Sequence, residues 1–198
     1  INGFHYDNYH FGLASLVSVT RKEKHNVKVV IISERSEYNH LLDEVKSFKP
    51  EVIGFSSVSS QFNYVKEIAS LIKELLPSVI IVCGGVHPTI HTNALLETEK
   101  INGFFVGESE LSFIEFLNKI EKGESFKEID NFTYVQNGVV VRNKLKALIE
   151  NLDLLPHPDK EVYPYKKTVA DLGYAPFFFA RGCPFMCTYC SNHALAEL

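Results

Sequence analysis

Residues 51–85 read EVIGFSSVSSQFNYVKEIASLIKELLPSVIIVCGG, and this stretch decides the fold class. Its two ends are continuous apolar runs, the first closing at Ser56 and the second at Gly84 and Gly85. The segment from Asn63 to Leu76 carries apolar side chains at helical spacing, at Val65, Ile68, Ala69, Ile72 and Leu75. Strands that are apolar throughout are typical of parallel sheets, because both of their faces are buried. The stretch therefore predicts a strand, a helix and a second strand parallel to the first.

The same alternation continues on both sides of this stretch. Before it we expect a helix from Phe11 to Lys24, a strand from Val27 to Ile32 and a helix from Asn39 to Phe48. After it we expect a short helical stretch, the strand GFFVG and a further helix, at residues 93–98, 103–107 and 109–122. Strands that alternate with helices predict an α/β domain with a parallel sheet covered on both faces.

Two smaller segments follow the predicted sheet. NFTYVQNGVVVRN, residues 131–143, predicts a β-hairpin, because Asn137 and Gly138 tolerate the left-handed conformations of a type I′ turn. LDLLPHPDKEVYPYKK, residues 152–167, contains three prolines. We therefore expect a semi-rigid linker there and no helix.

Composition limits the classes of function. The chain has 198 residues, of which 45% are hydrophobic, enough for one core and part of a second. Its formal net charge of −4 gives no basic surface, so we expect no nucleic-acid partner. No apolar stretch is long enough to span a bilayer, and no charged and then apolar leader opens the sequence, which predicts a cytoplasmic protein without a membrane span.

Small and hydroxyl side chains follow two of the predicted strands. Ser57 and Ser59 come after the first strand, and Gly84 and Gly85 close the second. In an open α/β sheet, ligands bind outside the carboxyl ends of the strands. Glycines let a large flat ligand approach the backbone, and hydroxyls can hydrogen-bond to its polar rim, so these four residues are candidate ligand contacts. The alternative is two ordinary strand-to-helix turns.

A second candidate site lies near the end of the sequence, in ARGCPFMCTYCSN. Cys183, Cys187 and Cys190 form a CxxxCxxC run within one short loop. Cysteine thiolates hold iron–sulfur clusters, usually with four cysteines, so three of them leave one iron open to another ligand. Zinc is the alternative, since His193 would complete a Cys3His tetrahedron. Cys83 lies in an apolar run and is expected to be a buried core residue.

The cysteine run resembles the CxxxCxΦC signature of the radical S-adenosylmethionine (radical SAM) enzymes, whose aromatic position Φ is met here by Tyr189. The resemblance implies that Cys183, Cys187 and Cys190 hold a [4Fe-4S] cluster whose fourth iron binds S-adenosylmethionine, with Tyr189 beside the adenine. It also implies that Phe177 to Ala180 form the first strand of a (β/α) barrel. Such an enzyme is expected to work under anaerobic conditions with an electron donor such as flavodoxin or ferredoxin.

The rest of the sequence resembles the cobalamin-binding domain that precedes the barrel in one branch of these enzymes. The segments FGLASLVSVTRKEKHNVKVV, PEVIGFSSVSSQFNYV, IIVCGGVHPT, GFFVGESE and NLDLLPHPD match it in order. The resemblance implies that Ser57, Ser59, Gly84 and Gly85 lie near the corrin edge or the nucleotide tail of cobalamin, and that His87 begins the next helix.

Two departures accompany this resemblance. The mutase type of the domain has an Asp-x-His-x-x-Gly motif whose histidine binds cobalt from below. In the nearest stretch here, DNYHFG at residues 7–12, the histidine is displaced by one position. His10 is therefore expected to be a turn or ligand-edge residue. The opening strand of the family is not evident in INGFHYDN, residues 1–8.

These observations predict four segments: a Rossmann/flavodoxin-like cobalamin-binding domain at 1–128, a β-hairpin at 129–150, a linker at 151–175 and the start of a radical SAM barrel at 176–198. The expected function is that of the N-terminal part of a cobalamin-dependent radical SAM enzyme, for methyl transfer to an unactivated carbon or for ring closure. Residues 1–198 alone are expected to be inactive, because a barrel needs about 200 residues or more. The alternative is a non-catalytic α/β binding module with a C-terminal zinc site.

Overall fold

The computed structural model describes residues 10–162, 165–175, 177, 178, 180–185 and 187–196. The predictions made for residues 1–9 lie outside this range. The chain divides into two compact units: residues 28–150 form one, and residues 1–27 together with residues 151–198 form the other. The four segments expected from the sequence stay a prediction.

The elements follow the predicted order closely. The helices are α1 (Phe11–Lys22), α2 (Tyr38–Phe48), α3 (Phe62–Leu75), α4 (Val86–Ile90), α5 (Glu110–Glu121), α6 (Tyr165–Leu172) and α7 (Asn192–Ala196). The strands are β1 (Val52–Ser56), β2 (Ile80–Gly84), β3 (Gly103–Phe105), β4 (Phe132–Gln136) and β5 (Val139–Arg142). Short 3-10 turns lie at Arg35–Glu37, Ser59–Gln61, Thr92–Glu97 and Leu152–Leu154.

The five strands form one sheet in the order β1-β2-β3-β4-β5. Strands β1, β2 and β3 are parallel, whereas β4 is antiparallel to β3 and β5 is antiparallel to β4. Ser56 pairs with Gly84 in the register between β1 and β2, so the carboxyl ends of these two strands lie side by side. The predicted α/β class is confirmed, with a mixed sheet.

Each face of the sheet has its own apolar cluster, because alternate side chains of a strand point to opposite faces. Ile81 and Cys83 of β2 belong to a cluster that includes Ile68 of α3. Val82, between them, belongs to a second cluster that includes Phe116 of α5. Cys83 has no exposed surface, and burial raises the pKa of its thiol to about 12, which confirms its predicted place in the core.

The strand predicted from Val27 to Ile32 does not form. Val30 and Ile32 are partly buried against the cluster on the α3 side, so the apolar pattern indicated burial correctly. A strand also needs a hydrogen-bonded neighbour. Among the described residues β1 pairs with β2 alone, so this segment has no strand partner there.

The predicted hairpin forms from β4 and β5, and Asn137 and Gly138 adopt the positive φ values of 51° and 74° that a type I′ turn needs. The hairpin extends the main sheet, since β4 pairs with β3. An Asn-Gly turn determines a hairpin locally, whereas its pairing with β3 depends on the burial of Phe132, which has no exposed surface.

The proline-rich stretch at residues 152–167 differs from its prediction, because α6 begins inside it at Tyr165. A proline is tolerated in the first turn of a helix or just before it, so Pro164 in the sequence does not prevent a helix that starts after it. The barrel strand predicted from Phe177 to Ala180 lies partly outside the described residues, and its described members carry no strand pairing.

In the unit that contains α1, this helix is tied to the segment after residue 151. His10 caps α1, because its Nδ1 accepts a hydrogen bond from a backbone N–H of the first turn at 3.2 Å, which agrees with the expected turn role. The hydroxyl of Ser18 donates to the carbonyl of His157 at 2.7 Å, and Arg21 forms an ion pair with Asp159. No helix in the described part of the chain is both long and apolar enough to cross a membrane.

Candidate ligand-binding edge of the sheet

Two segments meet where β1 and β2 end: the serine segment, residues 56–59, and the glycine segment, residues 84–87. The backbone N–H of Ser57 donates to the carbonyl of Gly84 at 3.0 Å, and the backbone N–H of His87 donates to the carbonyl of Ser57 at 3.1 Å. The predicted contacts Ser57, Ser59, Gly84 and Gly85 therefore lie together at the carboxyl edge of the sheet. Their role in ligand binding stays a prediction.

Gly85 is required by the chain itself. Its φ of 98° and ψ of −169° lie in a region that is essentially restricted to glycine. A Cβ at this position would lie 2.8 Å from the carbonyl oxygen of Ser57 and 2.9 Å from its nitrogen. A Cβ on Gly84 would instead meet Phe105 at an ordinary 3.8 Å. The close approach that demands glycine is thus between two protein segments, where the pattern alone suggested a ligand.

The two serines offer different groups to a ligand. Ser57 is 2% exposed, and its hydroxyl donates to the carbonyl of Val58 at 2.9 Å. Ser59 is exposed and begins the 3-10 turn ahead of α3, with its Oγ 3.0 Å from Nδ1 of His87. Of these two serines, Ser59 offers a hydroxyl that solvent or a ligand can reach, while the backbone groups of Ser57 hold the two segments together.

His87 belongs to this edge, although the sequence pattern marked it only as the start of a helix. It lies in α4, is 8% exposed, and its ring centroid is 4.4 Å from that of Phe62. Its Nε2 is buried and has no hydrogen-bond partner in the part of the chain that the structure describes. Burial lowers the pKa of His87, so the ring is neutral at pH 7. The sequence did contain a signal for a histidine at this edge, because His87 follows the double glycine at the strand end by two positions.

A polar cavity of about 600 Å³ adjoins the serine segment at Ser60. Four charged side chains line it, and they form two ion pairs. Arg35 lies 2.8 Å from Glu67. Lys66 lies 2.6 Å from Glu97. Because these charges are paired, the cavity offers hydrogen-bonding groups to a ligand and little net charge.

A buried asparagine fixes the carboxyl end of β3. Asn131 is 3% exposed, donates through Nδ2 to the carbonyl of Val106 at 2.8 Å and accepts through Oδ1 from the hydroxyl of Ser112 at 3.1 Å. The backbone N–H of Gly107 donates to the hydroxyl of Thr89 at 3.1 Å, which links this strand end to α4. The ends of the three parallel strands are thus tied to one another before any ligand binds, and preorganisation of this kind favours binding.

The cysteine loop lies in the other unit. Cys183 is exposed, Cys187 and Cys190 are half-buried, and all three thiols are free of disulfides. Gly182 has a φ of 81°, so it supplies the turn before the first cysteine. No three histidine, cysteine, aspartate or glutamate side chains are grouped to hold a metal ion within the described residues, and the side chain of His193 lies outside them. The donor set fits an iron–sulfur cluster by its chemistry, and the site stays a prediction.

Known proteins are similar in sequence to this chain over most of its length. Residues 2–117 match the family described as the B12 binding domain. The chain is 32% identical over 184 residues to an uncharacterized methyltransferase, PH0819, of Pyrococcus horikoshii, a match that covers 91% of this chain and 40% of the relative. It is 26% identical over 162 residues to the anaerobic magnesium-protoporphyrin IX monomethyl ester cyclase of Rubrivivax gelatinosus, covering 76% of this chain and 28% of that enzyme. The chain thus spans less than half the length of either relative.

Solved structures share the fold. The cobalamin-dependent S-adenosylmethionine radical enzyme OxsB, with aqua-cobalamin and S-adenosylmethionine bound, superposes with a TM-score of 0.76 at 21% identity, over 92% of this chain and 26% of that one. The radical S-adenosylmethionine methyltransferase TsrM of Kitasatospora setae, with cobalamin and a [4Fe-4S] cluster bound, superposes with a TM-score of 0.69 at 17% identity, over 96% of this chain and 40% of that one. At these identities the likeness shows a common fold.

Proposed function

Because this chain belongs to the B12 binding domain family, we propose that it binds cobalamin at the carboxyl edge of its sheet, against Ser57, Ser59, Gly84 and Gly85. The observation that carries this proposal is the hydrogen-bonded junction of the serine and glycine segments where β1 and β2 end. Ligands of open α/β sheets bind at such strand ends.

Two polar groups at this edge fit a flat ligand with a polar rim. The hydroxyl of Ser59 is exposed, and Nε2 of His87 is buried without a partner among the described residues. A buried polar atom that lacks a partner costs about 1–3 kcal/mol, so a ligand that supplies one recovers that free energy. Cobalamin carries amide groups around its ring and a phosphate in its nucleotide tail, and both kinds of group can hydrogen-bond to these residues.

We further propose that Cys183, Cys187 and Cys190 hold a [4Fe-4S] cluster and that S-adenosylmethionine binds beside Tyr189. When bound, these groups supply the one-electron cleavage of S-adenosylmethionine, and cobalamin supplies a transferable methyl group. Tyr189 is 91% exposed, so its ring can pack on an adenine. The residues themselves bind the groups and hold them in position.

For the whole protein we propose methyl transfer to an unactivated carbon, with ring closure as the variant. The names of the two relatives, a methyltransferase and a cyclase, support this choice. This chain spans 40% and 28% of their lengths, so the reaction is proposed for the whole protein and not for residues 1–198 alone. A cluster with an open iron needs a reductant and no oxygen, so we place the protein in an anaerobic cytoplasm with a donor such as flavodoxin or ferredoxin.

Anaerobic reconstitution tests the cluster, and a corrinoid titration tests the cobalamin site. The chain and a variant with alanine at Cys183, Cys187 and Cys190 are incubated with iron and sulfide, desalted, and analysed for iron, zinc and visible absorbance. Hydroxocobalamin is titrated into both proteins in a separate experiment. We expect about four iron atoms per wild-type chain and none in the variant. We expect both proteins to bind hydroxocobalamin equally, because the unit of residues 28–150, which contains the sheet, has the same sequence in both.

Two results would contradict these proposals separately. Retention of zinc without uptake of iron would favour the zinc-binding module and reject the cluster. Absence of any spectral change with hydroxocobalamin in both proteins would reject the cobalamin site, whatever the metal content.

A further inference from the structure

We propose that Nε2 of His87 donates a hydrogen bond to an oxygen atom on the rim of the bound corrinoid. This inference rests on the cobalamin site proposed above and adds one residue and one atom to it. The contact would make His87 a binding residue of the site, in addition to its place at the start of α4.

Three contacts hold His87 at the ligand-binding edge. The backbone N–H of His87 donates to the carbonyl of Ser57 at 3.1 Å. Its Nδ1 lies 3.0 Å from Oγ of Ser59. Its ring packs on Phe62, with centroids 4.4 Å apart. The ring is therefore fixed between the serine segment and the first turn of α3, and only Nε2 remains to be satisfied.

His87 is only 8% exposed, and its Nε2 has no hydrogen-bond partner among the residues that the structure describes. Buried polar atoms in native proteins are almost always hydrogen-bonded, so Nε2 calls for a partner beyond the described residues, which a ligand at this edge can supply. We expect the ligand to displace the exposed His91, whose ring centroid lies 5.7 Å from that of His87. A histidine kept ready in this way adds a hydrogen bond on binding without any new ordering of its side chain.

Burial keeps the ring neutral, and three charged or titratable groups face it. They are His91 on its own helix, Glu97 on the 3-10 turn Thr92–Glu97, and Lys66 on α3. Burial is the main cause that lowers the pKa of His87, His91 and Lys66 lower it further, and Glu97 raises it. A neutral imidazole carries a single N–H, so the question is which nitrogen holds the proton.

Ser59 determines that choice in our proposal. When its hydroxyl donates to Nδ1, the proton of the neutral ring lies on Nε2, which then needs an acceptor. A corrinoid offers two kinds of acceptor oxygen: the carbonyls of the amides around the ring, and the phosphate oxygens of the nucleotide tail. Both accept a hydrogen bond from Nε2, and the experiment below separates them.

Two substitutions distinguish the ring nitrogens. In His87→Asn the short amide occupies the place of Nδ1, so the contact with Ser59 is kept and the group at Nε2 is removed. In His87→Gln the longer amide reaches the place of Nε2, while the contact with Ser59 is lost. Hydroxocobalamin is titrated into the wild-type chain and both variants, and the dissociation constant is taken from the visible spectrum. The same titrations with cobinamide, which lacks the nucleotide tail, form the second arm.

We expect His87→Asn to weaken hydroxocobalamin binding about 3- to 10-fold, the size of one net hydrogen bond, and His87→Gln to stay within about 2-fold of wild type. Loss of affinity in His87→Gln with full affinity in His87→Asn would overturn the proposal, because His87 would then act only by positioning Ser59. Equal affinities of all three proteins would also overturn it. A wild-type chain that binds no corrinoid would instead reject the cobalamin site, and this inference with it.

A measurement on the unmodified chain keeps the test independent of how the variants fold. The ¹⁵N signal of Nε2 in His87 reports both its protonation and its hydrogen bond, and we expect it to shift when hydroxocobalamin saturates the chain. An unchanged Nε2 signal at saturation would overturn the proposal. If the loss in His87→Asn persists with cobinamide, the acceptor is an amide of the ring; if it disappears, the acceptor is the phosphate of the tail.

Discussion

Replacement of Gly85 by alanine should destabilise the chain strongly, whereas the same change at Gly84 should not. The φ of 98° and ψ of −169° at Gly85 cost a residue with a Cβ about 1–3 kcal/mol. The added methyl would also lie 2.8 Å from the carbonyl oxygen of Ser57, which is backbone and cannot rotate away. Overpacking of this kind costs about 1–3 kcal/mol, so the two effects together lower the free energy of unfolding by about 2–6 kcal/mol.

Gly84 is the matched control because it directly precedes Gly85 and is the last residue of β2. A Cβ there would contact Phe105 at 3.8 Å, an ordinary van der Waals distance, so we expect a change within about 1 kcal/mol of wild type. Urea unfolding followed by circular dichroism measures both variants. With a slope of about 1–3 kcal/mol per molar urea, the Gly85 variant should lose about 1 M or more in midpoint. Coinciding midpoints of the two variants would refute the argument that Ser57 excludes a side chain at Gly85.

Three further changes have defined outcomes. The pKa of His87 is lowered from 6.5 in the folded chain, so the unfolded chain binds more protons below that pH. The free energy of unfolding should therefore decrease as the pH falls through 6.5 toward the lowered pKa, and it should decrease less in the His87→Gln variant. Denaturation at several pH values measures this dependence in both proteins, and parallel curves of unfolding free energy against pH would contradict the prediction. Asn131→Ala removes the hydrogen bonds to the carbonyl of Val106 and from the hydroxyl of Ser112, and it places alanine at a φ of 64°, so it should lower the free energy of unfolding by about 2–4 kcal/mol. Asn131→Gly loses the same hydrogen bonds but tolerates that φ, so its loss should be about 1 kcal/mol smaller, and equal losses in urea unfolding would contradict the backbone argument. No described residue comes within 4 Å of a Cβ at Gly54, so Gly54→Ala should raise the free energy of unfolding by about 0.5–1 kcal/mol, and a decrease would show that the space beside Gly54 is not open.

The elements that the sequence predicted correctly are those whose signals are local. The apolar stripe from Asn63 to Leu76 produced α3 within one residue at each end, and the Asn137-Gly138 pair produced the hairpin turn. The carboxyl edge was also predictable, because strands that alternate with helices are parallel and place their ends together. Ser57 and Gly85 could therefore be assigned to one edge before their distance was known.

The features that the sequence did not predict depend on neighbours far along the chain. Residues 27–32 have a strand pattern but pair with no strand among the described residues, and pairing cannot be deduced from one segment alone. The reason for glycine at Gly85 became visible only when the backbone of Ser57 was found beside it. Likewise, the packing of the His87 ring against Phe62 and Ser59 leaves Nε2 without a partner among the described residues, which no spacing of residues reveals.

Amide hydrogen exchange with and without saturating hydroxocobalamin tests the central claim most directly, because it locates the ligand on the chain. We predict that protection increases in the serine segment, residues 56–59, and in the glycine segment, residues 84–87, while the opposite edge of the sheet around Glu51 and Ser78 is unchanged. Protection confined to that opposite edge, or none at all in the presence of bound corrinoid, would contradict the assignment of the cobalamin site to the carboxyl ends of β1 and β2.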